Sequence, residues 1–409
     1  MAKKQPKTLD ELAELIANHQ ALIQKIGVNW GEAVIEKLDA TEKALLVMLS
    51  RELKKFGPVR LNSALFKKFR EIEKAVKEIR SRGFDQAYAE LDTSALNLAA
   101  NDAAWAAGIT RALGAEKFTT PTLEALEKIP KYGVFDGKSL REWFTRLTAD
   151  DTARIMDAIR SGIISGLTID EIARQITGTA KNDYKDGILS ASRTAARRLA
   201  RTAASGVAND AKMEFYQENS DVVLGVDLIA TLDGRVCPRC ASLDGRRYKL
   251  DESKPHLPIH PNCRCIYVPV TVISDMGEDE RSAANADFTA EAKRLYEQKY
   301  PKDKFPNKSW DKLAPSTRHA YYYEAMHKYE KQNLKPAYSL VPGKMSFKEW
   351  FPTTSEQFKR DWLGPARYEL YEKGKLPLND FLPPYPDKQF TLDELKRHDA
   401  EAFRKAGLS

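Results

Sequence analysis

Cysteine placement constrains this chain more than any other feature of its sequence. All four cysteines, Cys237, Cys240, Cys263 and Cys265, fall within 29 of its 409 residues. Cysteines that merely filled a core would be scattered, so a cluster points to shared chemistry. Met1-Ala2-Lys3-Lys4 is followed by no apolar segment of the kind that forms a secretory signal. No stretch approaches the ~20 apolar residues of a membrane helix. The chain is therefore expected to fold in a reducing, cytosol-like compartment, with no membrane partner. There, clustered thiols favour metal or redox chemistry over disulfides.

The local sequence is Cys237-Pro238-Arg239-Cys240, then 22 residues, then Cys263-Arg264-Cys265, with His260-Pro261-Asn262 directly before Cys263. A C-x-x-C turn converges two sulfurs on one point. A second pair from a separate connection completes a tetrahedron, the geometry of structural Zn²⁺, which closes with four protein ligands. Five candidates are present. Cys237, Cys240, Cys263 and Cys265 form one solution, and replacement of Cys265 or Cys263 by His260 forms the other. The four-thiolate set is preferred because thiolates bind zinc strongly and none is then left free. Arg235, Arg239, Arg246, Arg247, Lys249 and Arg264 are close in sequence and would offset the charge of a zinc tetrathiolate. A redox dithiol at Cys237 and Cys240 is a weaker alternative. It follows a strand and a turn instead of opening a helix, and it leaves the second pair unexplained. Two disulfides would need an oxidising medium. A catalytic zinc is disfavoured because no His/Glu pair stands at helical spacing.

Around the cluster the chain reads as a mainly helical α+β protein, with a length that suits two to four domains. Residues 1–115 are expected to form a helical N-terminal region, with helices over about 9–26, 30–56, 63–80 and 93–113 and stops at Gly57-Pro58 and Gly83. Residues 116–150 read as a connector rich in proline and glycine. A helix over 148–161 follows, then a short one opened by the capping box of Thr168 and Glu171. The helix expected over 184–217 has eight alanines from Ala191 to Ala211 and no acid between Gly187 and Asn209. Arg193, Arg197 and Arg201 form one stripe on it, with Arg198 beside it. That stripe reads either as a contact strip for phosphates or an acidic protein surface, or as a solvated or ion-paired face.

Residues 222–230, 246–250 and 266–273 have strand character, and Asp233-Gly234 and Asp244-Gly245 are turn signals. A small antiparallel sheet with the cysteines in its connections follows. Residues 274–300 read as a linker or surface helix. The region 301–409 holds 11 of the 20 prolines and 18 of the 38 aromatic residues. Tyr321-Tyr322-Tyr323 within it reads as a packing or docking element in preference to a base-stacking one.

Catalytic signals are thin. No H-E-x-x-H, G-x-S-x-G, Walker A or G-x-G-x-x-G motif occurs. One nuclease-like reading remains, with His256 or His260 as general base beside a divalent ion. The formal net charge of +7 is mild for this length and does not itself predict nucleic-acid binding.

Several of these residues together resemble a known family. Gly166-Leu167-Thr168 with Glu171-Ile172-Ala173 is followed by Ala200-Arg201-Thr202. Then come Thr231, Asp233, Arg235, Cys237 and Cys240, next Leu243-Asp244-Gly245, and last His260-Pro261-Asn262-Cys263-Arg264-Cys265. This order is similar to the phage head morphogenesis family, that of Mu protein F and the SPP1 minor head protein. The resemblance implies a head-morphogenesis domain over 116–273 with a zinc knuckle at 231–268, a linker at 274–300 and a C-terminal region at 301–409. Phe347 to Phe351, Trp362 to Arg367, Leu370, Gly374 to Leu376 and Thr391 to Leu395 are similar to the tail region of such proteins. The implied role is that of a non-enzymatic minor capsid protein, present in few copies inside the virion and tied to the portal vertex. The portal protein is its implied partner, with the major capsid or scaffolding protein and double-stranded DNA as further candidates. The runner-up is a nuclease or effector carried in the head. One position departs from the family: many members have Glu after the Arg-Thr pair, where this chain has Ala203. If that Glu pairs with arginines, the stripe is less neutralised here.

Overall fold

The computed structural model describes residues 9–54, 63–115, 117–135, 137–182, 184–271, 280–284, 288–303, 305–306, 308–313, 338–342, 345–382 and 389–408, and single positions between 318 and 328. Three helices open the chain: α1 (Leu9–Ala40), α2 (Glu42–Leu53) and α3 (Ser63–Ala112). They are followed by α4 (Leu123–Tyr132), a two-residue hairpin of β1 (Val134–Phe135) and β2 (Lys138–Ser139), α5 (Leu140–Ile164), α6 (Ile169–Thr177) and α7 (Ile188–Glu218). Capping boxes start α5 at Ser139 with Glu142, and α6 at Thr168 with Glu171 as the sequence predicts.

Helix α7 is the spine. Its alanines 196, 200, 203, 204, 208 and 211 are all buried, and they let α1 and α3 lie close along it. The shared core joins Val34 and Leu38 of α1, Leu91 and Leu98 of α3, and Phe144 of α5 to those alanines. Gly83, read as a helix stop, and Gly27 both lie inside unbroken helices. A Cβ at Gly27 would meet the Arg201 backbone at 2.8 Å. One at Gly83 would meet the Lys37 carbonyl and the Thr41 methyl at 3.0 Å each. These glycines mark helix crossings, which outweigh their cost in helix propensity. Among the described residues the N-terminal region is helical as expected, and it shares its core with α7.

Buried charge fixes the order of the bundle. Fully buried Asp151 of α5 accepts the Nε–H of buried Arg80 of α3 at 2.6 Å. Arg80 also donates to the Leu38 carbonyl (2.8 Å) and to the Thr41 hydroxyl (2.7 Å), and Ser192 of α7 donates to Asp151. One carboxylate and one guanidinium thus tie together four helices. A second buried acid, Asp102 of α3, accepts from His19 Nε2 of α1 at 2.8 Å and faces Lys212 Nζ of α7 at 3.4 Å.

After α7 the period changes. Strand β3 (Val223–Ile229) pairs antiparallel with β4 (Arg246–Lys249) on one side and β5 (Ile266–Thr271) on the other, with Gly225 opposite Lys249 and Ile229 opposite Ile266. The cysteines lie in the two connections of this sheet, as expected, and α8 (Pro238–Leu243) lies in the first. The expected linker contains β6 (Glu280–Ala284) and all of α9 (Phe288–Lys299). Strand β6 pairs with β7 (Tyr338–Pro342). Tyr321 packs edge-on against Tyr296 and Trp310, which agrees with a packing role; Tyr322 and Tyr323 lie outside the described residues.

The chain ends in short helices: α10 (Phe347–Trp350), α11 (Glu356–Leu363), α12 (Pro365–Glu372), α13 (Leu392–His398) and α14 (Ala400–Lys405). Their aromatics Phe347, Trp350, Phe351 and Phe358 join one core with Leu243, Cys240 and Cys263. Among the described residues no helix is long and apolar enough to cross a membrane.

Removing one partner of a buried ion pair leaves the other charge unsatisfied. Asp151→Ala should lower stability by about 3–5 kcal/mol in urea denaturation, because Arg80 is then buried alone. An Arg141→Ala control at an exposed pair with Asp85 should cost less than about 1 kcal/mol.

Candidate metal centre

Cys237 caps the N-terminus of α8, where its Sγ accepts the backbone N–H of Cys240 at 3.3 Å and Pro238 fills the first helical position. The C-x-x-C pair therefore opens a short helix, contrary to the sequence reading. Only the convergence of the second pair speaks against a redox dithiol. From the other connection, the Cys263 N–H donates to the His260 carbonyl at 3.0 Å, with Asn262 left-handed at φ 62°. This tight turn aims His260 and Cys263 at the first pair.

All five candidates meet. Cys237, Cys240 and His260 form one trio of ligand atoms mutually within 4.8 Å, and Cys240, Cys263 and Cys265 form another. His260 Nε2 is 3.2 Å from Cys237 Sγ and 3.1 Å from Cys240 Sγ. Cys240 Sγ is 3.8 Å from Cys263 Sγ. Two thiolates on one tetrahedral zinc stand ~3.8 Å apart, given Zn–S bonds of ~2.3 Å. The donors, their number and their spacing thus suit a thiophilic tetrahedral ion.

The titration of the group fits the same use. A hydrogen bond from Cys240 lowers the Cys237 thiol to about 4, helped by His260 and opposed by burial. Burial disfavours the charged form of His260, yet hydrogen bonds with Cys237 and Cys263 raise it to about 11. Cys240 is pushed up by its hydrogen bonds with the other three thiols and by burial. A metal bound here would displace the remaining protons.

The frame around the ligands is held by groups whose roles the sequence did not disclose. Asp233, fully buried, accepts two bonds from Arg264 (2.7 and 2.8 Å) and two from Arg235 (3.0 and 3.2 Å), besides the Arg235 N–H at 2.9 Å. Burial raises its pKa, but Arg264 and Arg235 outweigh this and hold it well below the usual carboxylate range. Because Arg264 stands between Cys263 and Cys265, this clamp bolts the second connection to the first. Arg235 and Arg264 therefore serve Asp233, and Arg247 serves Asp227 at 2.8 Å, so these three are not simply counter-charges for a metal. Asp244 links the strand turn to the C-terminal region: it accepts Ala230 N–H at 2.7 Å and Phe347 N–H at 2.6 Å. Two side chains of α7 hold the ligand loop from behind. The Thr202 hydroxyl accepts the Asn262 N–H at 3.1 Å, and Asn209 donates to the Cys265 carbonyl at 3.2 Å. His256 of the same loop meets Asp210 of α7 at 2.9 Å.

The arginine stripe is not part of this centre. Arg193 pairs with Asp39 and Glu42, each at 2.8 Å, and Arg197 pairs with Glu32 at 2.8 Å. Arg201 lies at the Gly27 crossing. The ion-paired face is thus what Arg193 and Arg197 form. Asp39 and Glu32 of α1 and Glu42 of α2 supply the neutralising charge, while Ala203 is fully buried. Arg198 stands apart, exposed beside a shallow groove with Ser190 and Thr194.

Asp233→Asn should destabilise the protein by about 3 kcal/mol at pH 7, since it leaves two largely buried guanidiniums underpaired. The folded pKa lies below the unfolded one of ~3.9, so this stabilisation is complete above that value and is lost as pH falls through the folded pKa. The gap between wild type and variant should therefore narrow below about pH 4. His256 behaves oppositely. Its hydrogen bond with Asp210 raises its pKa against burial. The stability difference from His256→Ala should be complete below about pH 6.5 and shrink as pH rises beyond it, measured by denaturation across pH 5–9.

Comparison with known proteins agrees with this placement. Residues 153–268 match the family model described as Phage Mu protein F like protein. No curated protein and no solved structure matches the chain. The match runs from within α5 to within β5 and includes α7, the sheet and all five candidate ligands. Over residues 153–268 the chain is thus similar to the phage Mu protein F-like family.

Proposed function

We propose that the chain is a minor head protein of a tailed phage, a structural component that acts in head assembly at the portal vertex and turns over no substrate. The observation that carries this reading is the coincidence of the family match with the five converging Cys and His side chains. In this reading one Zn²⁺ closes the centre with four protein ligands and serves as a staple, without an open position for water. The portal protein is the proposed principal partner, and the major capsid or scaffolding protein and double-stranded DNA are further ones. With Arg193 and Arg197 already paired, DNA contact by α7 would fall to Arg198.

A nuclease or effector role is the second reading, and the half-exposed His256 held by Asp210 is the observation that favours it. His260 has its Nε2 between two sulfurs and is poorly placed to act as a base.

Purified particles should contain the chain in few copies per head, and the purified protein about one zinc per chain. Particles without the chain would contradict the structural reading. DNA cleavage with divalent ions that is abolished by His256→Ala would favour the second.

A further inference from the structure

We propose that the metal is held by Cys237, Cys240, His260 and Cys263, and that Cys265 remains a buried thiol behind the site. This inference rests on the zinc reading above and corrects the four-cysteine set favoured by the sequence. The two connections supply matched pairs, C-x-x-C and H-x-x-C, each closed by a tight turn. The imidazole is oriented for ligation. Its Nδ1–H donates to the Pro261 carbonyl at 2.9 Å, which turns Nε2 toward the sulfurs of Cys237 and Cys240. A backbone carbonyl on the far nitrogen is the usual way a ligating histidine is fixed.

Cys265 is placed differently. Its carbonyl is held by Asn209 of α7, and strand β5 begins at the next residue. Like Cys263 it lies within 4.8 Å of Cys240, but it stands outside the tight turn from His260 that aims Cys263 at the first pair. Cys237 and His260 are only partly buried, so the mixed set keeps a solvent-side entry for the ion. Charge favours it too. Three thiolates and one imidazole leave a zinc complex at −1, against −2 for four thiolates, and Arg235 and Arg264 are both engaged by Asp233.

Zinc K-edge X-ray absorption on the full-length, zinc-loaded protein tests this directly. The expected first shell is three sulfurs and one nitrogen, and a shell of four sulfurs would overturn the assignment. A protein without stoichiometric zinc would instead overturn the underlying zinc reading. Cobalt substitution provides a second measurement. Cys265→Ser should retain one Co²⁺ and the wild-type intensity of the thiolate-to-cobalt charge-transfer band. His260→Cys should raise that band by roughly a third, from three thiolates to four. Loss of the metal from Cys265→Ser with unchanged circular dichroism would also overturn the assignment.

Discussion

At the crossing of α1 and α7, a side chain at position 27 would strike the Arg201 backbone, and the close approach that this gap permits organises the rest of the molecule. With small residues on α7, the two long helices share a narrow seam, and α3 packs along the same alanine-rich surface. The acids of α1 then lie within reach of Arg193 and Arg197, so a run of positive charge with no acid nearby in sequence is neutralised across the helix pair. Farther along α7, Thr202 and Asn209 turn toward the sheet and hold the ligand loop. One helix therefore joins the N-terminal bundle to the cysteine centre.

The sheet needs that support. Strands of seven, four and six residues form a small sheet that gains stability from packing against its neighbours. Four ties hold it: the Asp233 clamp between the two connections, the bonds from α7, the Asp244 contact with the C-terminal region, and the proposed metal. Three of them are hydrogen bonds or ion pairs formed by the polypeptide. The fourth draws together residues from both connections, which would otherwise separate when the loops open. A metal in this position acts as folding free energy, since no preformed site exists in the unfolded chain.

Much of this was legible in the sequence because it is local. The four clustered cysteines, the capping box of Thr168 and Glu171, the three strands and the Asp244-Gly245 turn each follow from residues a few positions apart. What escaped is nonlocal. Gly83 reads as a stop because periodicity tells which face of a helix is apolar, not which helix crosses it. The arginine stripe reads equally as a contact strip or as a solvated or ion-paired face, because its acids stand more than 150 positions away. Asp233 reads as a turn residue, although its position two before Arg235 and the Arg between Cys263 and Cys265 were a usable signal. Choosing four ligands from five needed the orientation of the His260 ring, which spacing does not encode.

The central claim is that metal binding and the polypeptide's own ties act together to keep the cysteine module folded on α7. Amide hydrogen exchange of the full-length protein before and after chelation tests it most directly. Protection should fall across residues 223–271 and the C-terminal helices that share their core, while α1, α3 and the first half of α7 keep theirs. Exchange unchanged by chelation of a zinc-loaded protein, or uniform loss over the whole chain, would contradict it.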